Sequence, residues 1–253
     1  AGADEAGQLM PAIVAGAGPP VLLLHGQGGR GDAWDLQIEA LARGHRVIAP
    51  DLHGRGAAAS TTMAGLAAEV ADLCREMSLG PCAVIGHSLG GMVALQLALD
   101  APGLVSRLAI VNSAALGGSW GAGLRRGLLR AFLRLRGMEA FARLNAGLHF
   151  PGPEQEALRR RLVEVMGACD RRDYMAAQAA VDAFDVRARL GEIACPVLVV
   201  HSQQDIIPLA DKTAIVEGVR RGRLATIAGS RHVPLWDRPD ALNTSLLEFL
   251  AEP

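Results

Sequence analysis

Residues 82–91 read Cys82-Ala83-Val84-Ile85-Gly86-His87-Ser88-Leu89-Gly90-Gly91. The segment begins with an apolar run of strand length, and a serine with glycines two positions before and after it follows directly. The apolar stretch Leu89–Leu99 then predicts a buried helix. A buried strand that enters a helix through a tight, glycine-flanked turn is typical of a parallel α/β sheet.

The same alternation of apolar strands and helices extends in both directions from this segment. Further strands are predicted at Val21–His25, Arg46–Pro50, Leu108–Val111, Pro196–Val200 and Arg223–Ala228. Helices are predicted at Asp32–Arg43, Thr62–Met77, Leu209–Arg220 and Pro239–Leu250. Continuously apolar strands separated by helices predict an α/β fold, a mostly parallel, doubly wound sheet that is covered on both faces.

The alternation is interrupted between residues 114 and 189. This region has helical periodicity throughout, after a glycine-rich start. We interpret it as a helical cap inserted over the edge of the sheet. The predicted organisation is therefore a core formed by residues 1–113 and 190–253, with a cap at 114–189.

Composition limits the class of protein. The chain has 253 residues, of which 50% are hydrophobic and 20% charged, as in an ordinary globular domain. A net charge of −1 and 4% aromatic residues argue against a nucleic-acid-binding protein. No apolar run is long enough to span a membrane, and no secretory signal is visible at the start. Four scattered cysteines without metal-ligand spacing predict buried thiols in a cytoplasmic protein.

The glycine-flanked turn predicts a serine nucleophile at Ser88. Such a turn places the serine backbone in an unfavourable conformation, and larger residues at Gly86 or Gly90 would collide with the neighbouring strand and helix. A second Gly-x-Ser-x-Gly pattern surrounds Ser119. Because Ser119 lies beyond the end of its preceding strand, in a predicted loop, we expect it to belong to the cap.

A serine hydroxyl needs a base and an orienting carboxylate to become nucleophilic. His232 follows the last predicted strand, and Asp205 follows the strand before it. Because the carboxyl ends of parallel strands meet at one edge of the sheet, we expect both side chains near Ser88. Asp185 and Asp211 are rival acids within or before helices, and Asn112 occupies another possible acid position but carries only an amide. The remaining histidines are predicted to be structural or surface residues: His25, His45, His53, His87, His149 and His201.

Together these motifs resemble the α/β-hydrolase family over essentially the whole chain. The residues that carry the resemblance are His25-Gly26-Gln27-Gly28-Gly29, Asp51-Leu52-His53-Gly54-Arg55-Gly56, Gly86-His87-Ser88-Leu89-Gly90-Gly91, Pro196–Asp205 and Ser230-Arg231-His232. The resemblance implies an oxyanion hole formed by the backbone N–H groups of Gln27 and Leu89. Family members often carry arginine where this chain has His53, for which we find no chemical use.

The resemblance also implies an activity. It predicts a serine hydrolase that cleaves a carboxylic ester or lactone of a small, fairly apolar acid through an acyl-enzyme, with no metal or organic cofactor. The length and the short cap are similar to those of enol-lactonases and small carboxylesterases. C–C bond hydrolases, thioesterases and cofactor-free lyases use the same serine chemistry and remain alternatives, as does a non-catalytic ligand receptor.

Dinucleotide binding is an alternative from a different class. Gly26-Gln27-Gly28-Gly29-Arg30-Gly31 matches Gly-x-Gly-x-x-Gly after a strand, and Asp51 lies about twenty residues further on. In this interpretation, phosphate would bind at the start of the following helix and Asp51 would bind a ribose hydroxyl. It leaves Ser88, Asp205 and His232 without a role.

The predicted cap is rich in arginine. Between Gly117 and Arg172 there are 11 arginines and five acidic residues, whereas the rest of the chain has 14 basic and 21 acidic residues. Arg126, Arg130 and Arg134 share a helix face, for which a solvated surface is the simplest interpretation. Attraction of an anionic substrate and contact with a lipid surface are the alternatives. We attribute the single lysine, Lys212, to codon usage rather than chemistry.

Overall fold

A computed structural model of the protein describes residues 10–52, 62–118 and 122–252. Its centre is a sheet in which seven described strands follow the order β1-β3-β2-β4-β5-β6-β7. The strands are β1 (Ala12–Ala15), β2 (Pro20–Leu24), β3 (Arg46–Pro50), β4 (Cys82–His87), β5 (Val105–Val111), β6 (Val197–Ser202) and β7 (Gly222–Ile227). All neighbouring strands are parallel except β1, which pairs with β3 in the antiparallel direction.

Helices cover both faces of the sheet, as the alternating pattern predicts. In the described residues they are α1 (Asp35–Leu41), α2 (Met63–Glu76), α3 (Leu89–Asp100), α4 (Ala122–His149), α5 (Glu156–Gly167), α6 (Arg171–Ala183), α7 (Leu209–Gly218), α8 (Pro234–Asp237) and α9 (Pro239–Ala251). None of the described helices combines the length and the apolar character that crossing a membrane requires. A short 3₁₀ turn at Gly31–Trp34 precedes α1, so the α-helix predicted from Asp32 begins later than expected.

The central strands are buried on both faces because helices pack above and below them. Every residue of β4 and β6 is buried, which explains why these strands appear in the sequence as unbroken apolar runs. The edge strand β1 was missed by sequence analysis. It has only four residues, all of them at least partly exposed, and it is held through its register with β3, from Ala12 opposite Pro50 to Ala15 opposite Val47.

Between β5 and β6 the chain forms the helical insertion, which we define as α4, α5 and α6. It leaves and rejoins the core through a short antiparallel bridge between Leu116 and Asp185. The prediction of helix as far as residue 189, after a glycine-rich start, is therefore wrong at Asp185, which pairs as extended backbone after the end of α6. It is also wrong within α4, where Gly137 has φ 78° and ψ 173° and interrupts the helix.

Aromatic and apolar side chains attach the insertion to the core. Phe150, at the end of α4, is fully buried and stacks on Trp236 with a centroid distance of 6.2 Å. Phe184 packs into the apolar cluster on the other side of the sheet. Full burial of a side chain of this size contributes about 2 kcal/mol to folding. The insertion is thus attached to the core in its middle, between α4 and α5, and again directly after α6.

Candidate active site

Ser88 lies at the turn between β4 and α3, with φ 52° and ψ −118°. A non-glycine residue rarely adopts a positive φ, and this one is held by hydrogen bonds from its own N–H to Val111 O (3.0 Å) and from Ser113 Oγ to its carbonyl oxygen (2.6 Å). A Cβ atom at Gly86 would lie 2.2 Å from Gly90 O, and one at Gly90 would lie 2.1 Å from Leu24 O. Only glycine fits these two positions. The tight turn that they permit places the Ser88 side chain at the end of β4, where it lines the cavity.

Three residues that are distant in sequence meet at this turn. His232 Nε2 lies 3.0 Å from Ser88 Oγ, and His232 Nδ1 lies 2.6 Å from Asp205 Oδ1. A neutral imidazole whose Nδ1–H donates to the carboxylate leaves Nε2 free to accept the serine proton. The structure therefore brings together Ser88, Asp205 and His232 in the arrangement that nucleophilic acyl transfer requires. The rival acid Asp185 instead pairs with Arg187 in an exposed position, and Asp211 lies on α7.

The Asp205 carboxylate has a second partner that sequence analysis missed. Lys212 on α7 is fully buried, and its Nζ lies 2.5 Å from Asp205 Oδ2 and donates to Ile207 O. Burial alone would raise the pKa of Asp205, but the hydrogen bonds and charges of His232 and Lys212 outweigh it and hold that pKa below its usual range. Burial lowers the pKa of Lys212, which the carboxylate opposes. The attribution of Lys212 to codon usage is therefore wrong, because a lone lysine at a fully buried position has a defined ionic partner.

The loop that carries His232 is braced by buried polar groups. Asn112, at the end of β5, has φ 44° and donates from Nδ2 to the carbonyl oxygen of His232 at 3.0 Å and to Ser202 Oγ at 2.8 Å. Asp237 accepts hydrogen bonds from Ser230 Oγ at 2.7 Å and from the Arg231 N–H at 3.0 Å. Asn112 thus connects three strand ends and positions the histidine loop, which is a structural use for an amide that cannot act as the acid.

The glycine-rich turn after β2 lies beside Ser88, since a Cβ atom at Gly26 would come 3.4 Å from Ser88 Cβ. Gln27 Nε2 donates to Tyr174 O on α6 at 3.0 Å, which ties the turn to the insertion. His25 Nε2 accepts the Leu52 N–H at 2.9 Å, so its other ring nitrogen donates to Gly26 O. Gly28 has φ 73°, as the tight turn requires. Gln27 on this turn lines the cavity together with Ser88, and Leu89 is the first residue of α3, directly after the serine. The oxyanion hole predicted from their backbone N–H groups stays a prediction.

Asp51 does not have the environment that dinucleotide binding would require. Its Oδ1 accepts the Gly31 N–H at 2.7 Å, so the carboxylate holds the glycine-rich turn in place. The residues after that turn form a 3₁₀ segment instead of the α-helix start at which a pyrophosphate would bind. The glycines surround the space in front of Ser88, which favours the hydrolase interpretation.

A cavity of about 190 Å³ opens in front of Ser88. The core contributes the glycine-rich turn, His87, His232 and Trp236 to its wall, and the insertion contributes Asn145, His149, Leu162, Met166 and Tyr174. Among the described residues, no Arg, Lys, Asp or Glu lines this cavity. The cavity is therefore small and mostly apolar, with a few polar side chains near the serine.

Two further histidines contact His232. His87 Nε2 donates to His232 O at 2.8 Å, and the His149 ring stacks on the His232 ring with centroids 5.1 Å apart. Burial, followed by the charge of His232, lowers the pKa of His87 and that of His149 to about 3 in each case. Both rings are therefore neutral near pH 7. His149 was predicted to be structural or at the surface, and its place in the cavity wall is not apparent from the helical pattern of the insertion.

Ser119 and the loop residues His53, Gly54, Arg55 and Gly56 lie outside the described residues. The turn after β3 is described only through Asp51 and Leu52, and the second Gly-x-Ser-x-Gly pattern only through Gly117 and Gly118. The predictions for Ser119 and His53 therefore stay predictions.

Comparison with known proteins agrees with this fold and site geometry. A model of the alpha/beta hydrolase family matches residues 21–244, and the chain belongs to that family. RutD of Azorhizobium caulinodans, whose name describes a candidate carbamate hydrolase, is 31% identical over 250 residues, covering 94% of this chain and 93% of the relative. A hydrolase structure from Pseudomonas aeruginosa PA01 is 28% identical with a TM-score of 0.87, covering 95% and 94% of the two chains.

The fold is also similar to that of the enol-lactonase from Burkholderia xenovorans LB400. The TM-score is 0.88 at 24% identity, and the match covers 96% of each chain. The predicted fold class, an α/β-hydrolase fold built on a mostly parallel sheet, is thus confirmed.

Proposed function

We propose that the protein is a serine hydrolase that cleaves a carboxylic ester or lactone of a small, fairly apolar acid through an acyl-enzyme. The observation that carries the proposal is the continuous hydrogen-bonded chain from Ser88 Oγ through His232 to Asp205, on the wall of the cavity. The serine, the base and the acid each follow a different strand at the carboxyl edge of the sheet.

In the first half-reaction, Ser88 Oγ attacks the substrate carbonyl while His232 Nε2 accepts its proton. Asp205 holds the imidazole in the required tautomer and stabilises the imidazolium that forms. The N–H groups of Gln27 and Leu89 bind the tetrahedral oxyanion, and each such donor contributes about 3 kcal/mol to the transition state. His232 then protonates the leaving alcohol, and the acyl group remains on Ser88.

In the second half-reaction, His232 removes a proton from water, which attacks the acyl-enzyme carbonyl. The same two N–H groups bind the second oxyanion, and the returned proton restores the Ser88 hydroxyl. Because the positive end of α3 points at this position, its dipole also favours the developing negative charge. Each step uses only side chains and backbone groups of this chain.

The cavity supports a small and uncharged substrate. A volume of about 190 Å³ is below the range of about 300–1,000 Å³ typical of drug-sized ligand pockets. Arg126 is paired with Asp182 at 3.2 Å, and Arg130 and Arg134 are exposed on the outer surface of α4. The arginine-rich insertion therefore gives no reason to propose an anionic substrate.

A carbamate is a second candidate substrate, favoured by the similarity to RutD over nearly the whole chain. The chemistry would be the same acyl transfer, at a carbonyl that nitrogen makes less electrophilic. Rates with p-nitrophenyl acetate, γ-butyrolactone and ethyl carbamate distinguish the two candidates. We expect kcat/KM to be highest for the activated ester or the lactone, and a preference for the carbamate would favour the second candidate.

The direct test is substitution of the serine and the histidine. We expect Ser88→Ala and His232→Ala each to lower kcat for p-nitrophenyl acetate by about 10⁴–10⁶, and the double variant to lose no more than the single ones, because the residues act as a unit. Ser119→Ala, at the other Gly-x-Ser-x-Gly pattern, serves as a matched control and should retain activity. Undiminished turnover by purified Ser88→Ala protein would falsify the assignment.

A further inference from the structure

We propose that His149 and Asn145 form a binding subsite for a neutral hydroxyl or carbonyl group on the alcohol portion of the substrate. The proposal rests on the serine hydrolase function given above and specifies the substrate class. Both side chains come from the second half of α4, in the helical insertion, and both line the cavity in front of Ser88. Because they are four residues apart, they lie on the same face of the helix.

His149 has a polar atom that the described protein leaves unsatisfied. The side chain is only 6% exposed, and its Nδ1 is buried with no hydrogen-bond partner among the described residues. A buried polar group without a partner costs about 1–3 kcal/mol. The His149 side chain lines the cavity in front of Ser88, so a small rotation of the ring would bring Nδ1 to a ligand bound there, which would supply the missing partner.

Asn145 adds an acceptor one turn earlier. Its Nδ2 donates to Phe141 O at 2.9 Å, an intrahelical bond that fixes the amide and leaves Oδ1 as an acceptor. A neutral imidazole provides one donor and one acceptor on its two nitrogens. Together the two side chains can satisfy a hydroxyl, which donates and accepts, or a carbonyl oxygen, which accepts.

The charge of the subsite excludes a carboxylate as its preferred ligand. Burial, followed by the charge of His232, lowers the pKa of His149 to about 3, so the ring is uncharged at neutral pH. Among the described residues, the cavity wall carries no arginine or lysine. A carboxylate there would lose its hydration without gaining a cationic partner, which is unfavourable.

The stacking of the two histidines places the subsite on the leaving-group side. His149 lies against the face of the His232 ring, with an interplanar angle of 24°. The leaving oxygen has to come within hydrogen-bond reach of His232 Nε2 to receive its proton. The substituent attached to that oxygen is therefore the part of the substrate nearest to His149.

Matched esters test the proposal. The monoacetate of 1,3-propanediol and n-butyl acetate have alcohol portions of the same length, and the first ends in a hydroxyl where the second ends in a methyl group. A third ester, 3-acetoxypropanoate, ends in a carboxylate. We expect the wild-type kcat/KM for the hydroxyl ester to exceed that for the butyl ester by about tenfold, as one net neutral hydrogen bond provides. The difference should appear mainly in KM, since the group is bound but does not react. The carboxylate ester should be the poorest of the three.

Three variants distinguish hydrogen bonding of His149 to the substrate from its stacking on His232. His149→Phe keeps a ring against His232 but removes both nitrogens, so we expect the hydroxyl-to-butyl ratio to fall to about one. His149→Gln keeps hydrogen-bonding atoms without an aromatic ring and should retain a preference for the hydroxyl ester. Leu148→Gln, on the exposed face of the same helix, should leave the ratio unchanged. If His149→Phe does not fold, Asn145→Leu tests the same loss.

An unchanged ratio in His149→Phe or Asn145→Leu protein overturns the subsite, and so does equal use of the two esters by the wild type. Calorimetric binding of the same esters to Ser88→Ala and Ser88→Ala/His149→Phe proteins gives a readout that needs no turnover. Wild-type protein that hydrolyses none of the esters contradicts the proposed function. A tenfold binding preference lost with His149 would still support the subsite in that event.

Discussion

The core and the helical insertion each form one wall of the cavity, and they differ in how closely the backbone is packed at particular positions. On the sheet side, a Cβ atom added at Gly90 would come within 2.1 Å of a backbone oxygen, and Asp205 and Lys212 form a fully buried ion pair. In the helical insertion, a Cβ atom at Gly127 on α4 would meet nothing within 4 Å, although one at Gly117, before α4, would lie 1.9 Å from Val181 O. The Arg143–Glu139 pair on α4 is mostly exposed. The groups proposed to react therefore lie on closely packed backbone of the core, whereas the groups proposed to bind the alcohol portion lie on α4, whose backbone has free space at Gly127.

The largest expected difference between the walls concerns their ion pairs. Lys212→Met leaves the buried Asp205 without its lysine and with His232 as a hydrogen-bond partner, and we expect a loss of about 3–5 kcal/mol in the free energy of unfolding. Arg143→Met breaks the pair with Glu139, which is 2.5 Å long but exposed, and should cost less than about 1 kcal/mol. Urea unfolding followed by circular dichroism measures both values.

A similar cost for the two substitutions would contradict the distinction between the walls. Lys212→Arg keeps the charge in a side chain of different shape, and we expect a stability between those of the wild type and Lys212→Met, because the guanidinium is larger than the ammonium that fits beside Asp205 and Ile207.

The close approach of α3 to β2 gives the second difference. In Gly90→Ala, the new methyl group would contact backbone atoms of Leu24 and His25, which cannot rotate away. We expect the free energy of unfolding to fall by about 3 kcal/mol, the upper part of the range for overpacked sites. Thermal unfolding checks this. A Tm equal to that of the wild type would mean that α3 can shift on β2 without cost, and would contradict the close packing at Gly90.

The sequence predicts the site residues that follow strands better than those that helices bring to the site. Ser88, Asp205 and His232 each follow a buried apolar strand, and parallel strand ends meet at one edge, so local patterns are enough to place them together. His149 and Lys212 reach the site through the packing of helices, which periodicity does not specify. The edge strand β1 is short and at least partly exposed, so it lacks the apolar run that marked the other strands.

The histidines at the boundary between the walls predict a pH-dependent stability. The pKa of His87 and that of His149 lie near 3 in the folded protein, below the ordinary value of 6.5. Between these pH values the unfolded chain binds more protons than the folded one, so stability is complete above about pH 6.5 and falls as the pH decreases. We expect each ring to contribute a slope of about 1.4 kcal/mol per pH unit within this window.

Urea unfolding between pH 4.5 and 7.5 measures this slope. His149→Gln removes one of the two groups and should reduce the slope by about one proton, while the contribution of His87 remains. If the slope is the same in wild type and His149→Gln, the His149 ring is protonated without difficulty in the folded protein, and the neutral character of the insertion wall is refuted.

The smallest expected effect is a gain in stability, from a substitution in the insertion at a glycine with free space around its Cβ position. Gly127 lies within α4, is exposed and has free space at its Cβ position. Alanine there restricts the unfolded chain and favours the helix without a clash, so Gly127→Ala should raise the free energy of unfolding by about 0.5–1 kcal/mol. Gly137→Ala is the matched contrast, because Gly137 has an equally open Cβ position but a φ of 78° that alanine adopts with strain. A stabilisation by Gly127→Ala together with a destabilisation by Gly137→Ala would show that backbone conformation, not packing, limits substitution at these two positions of α4.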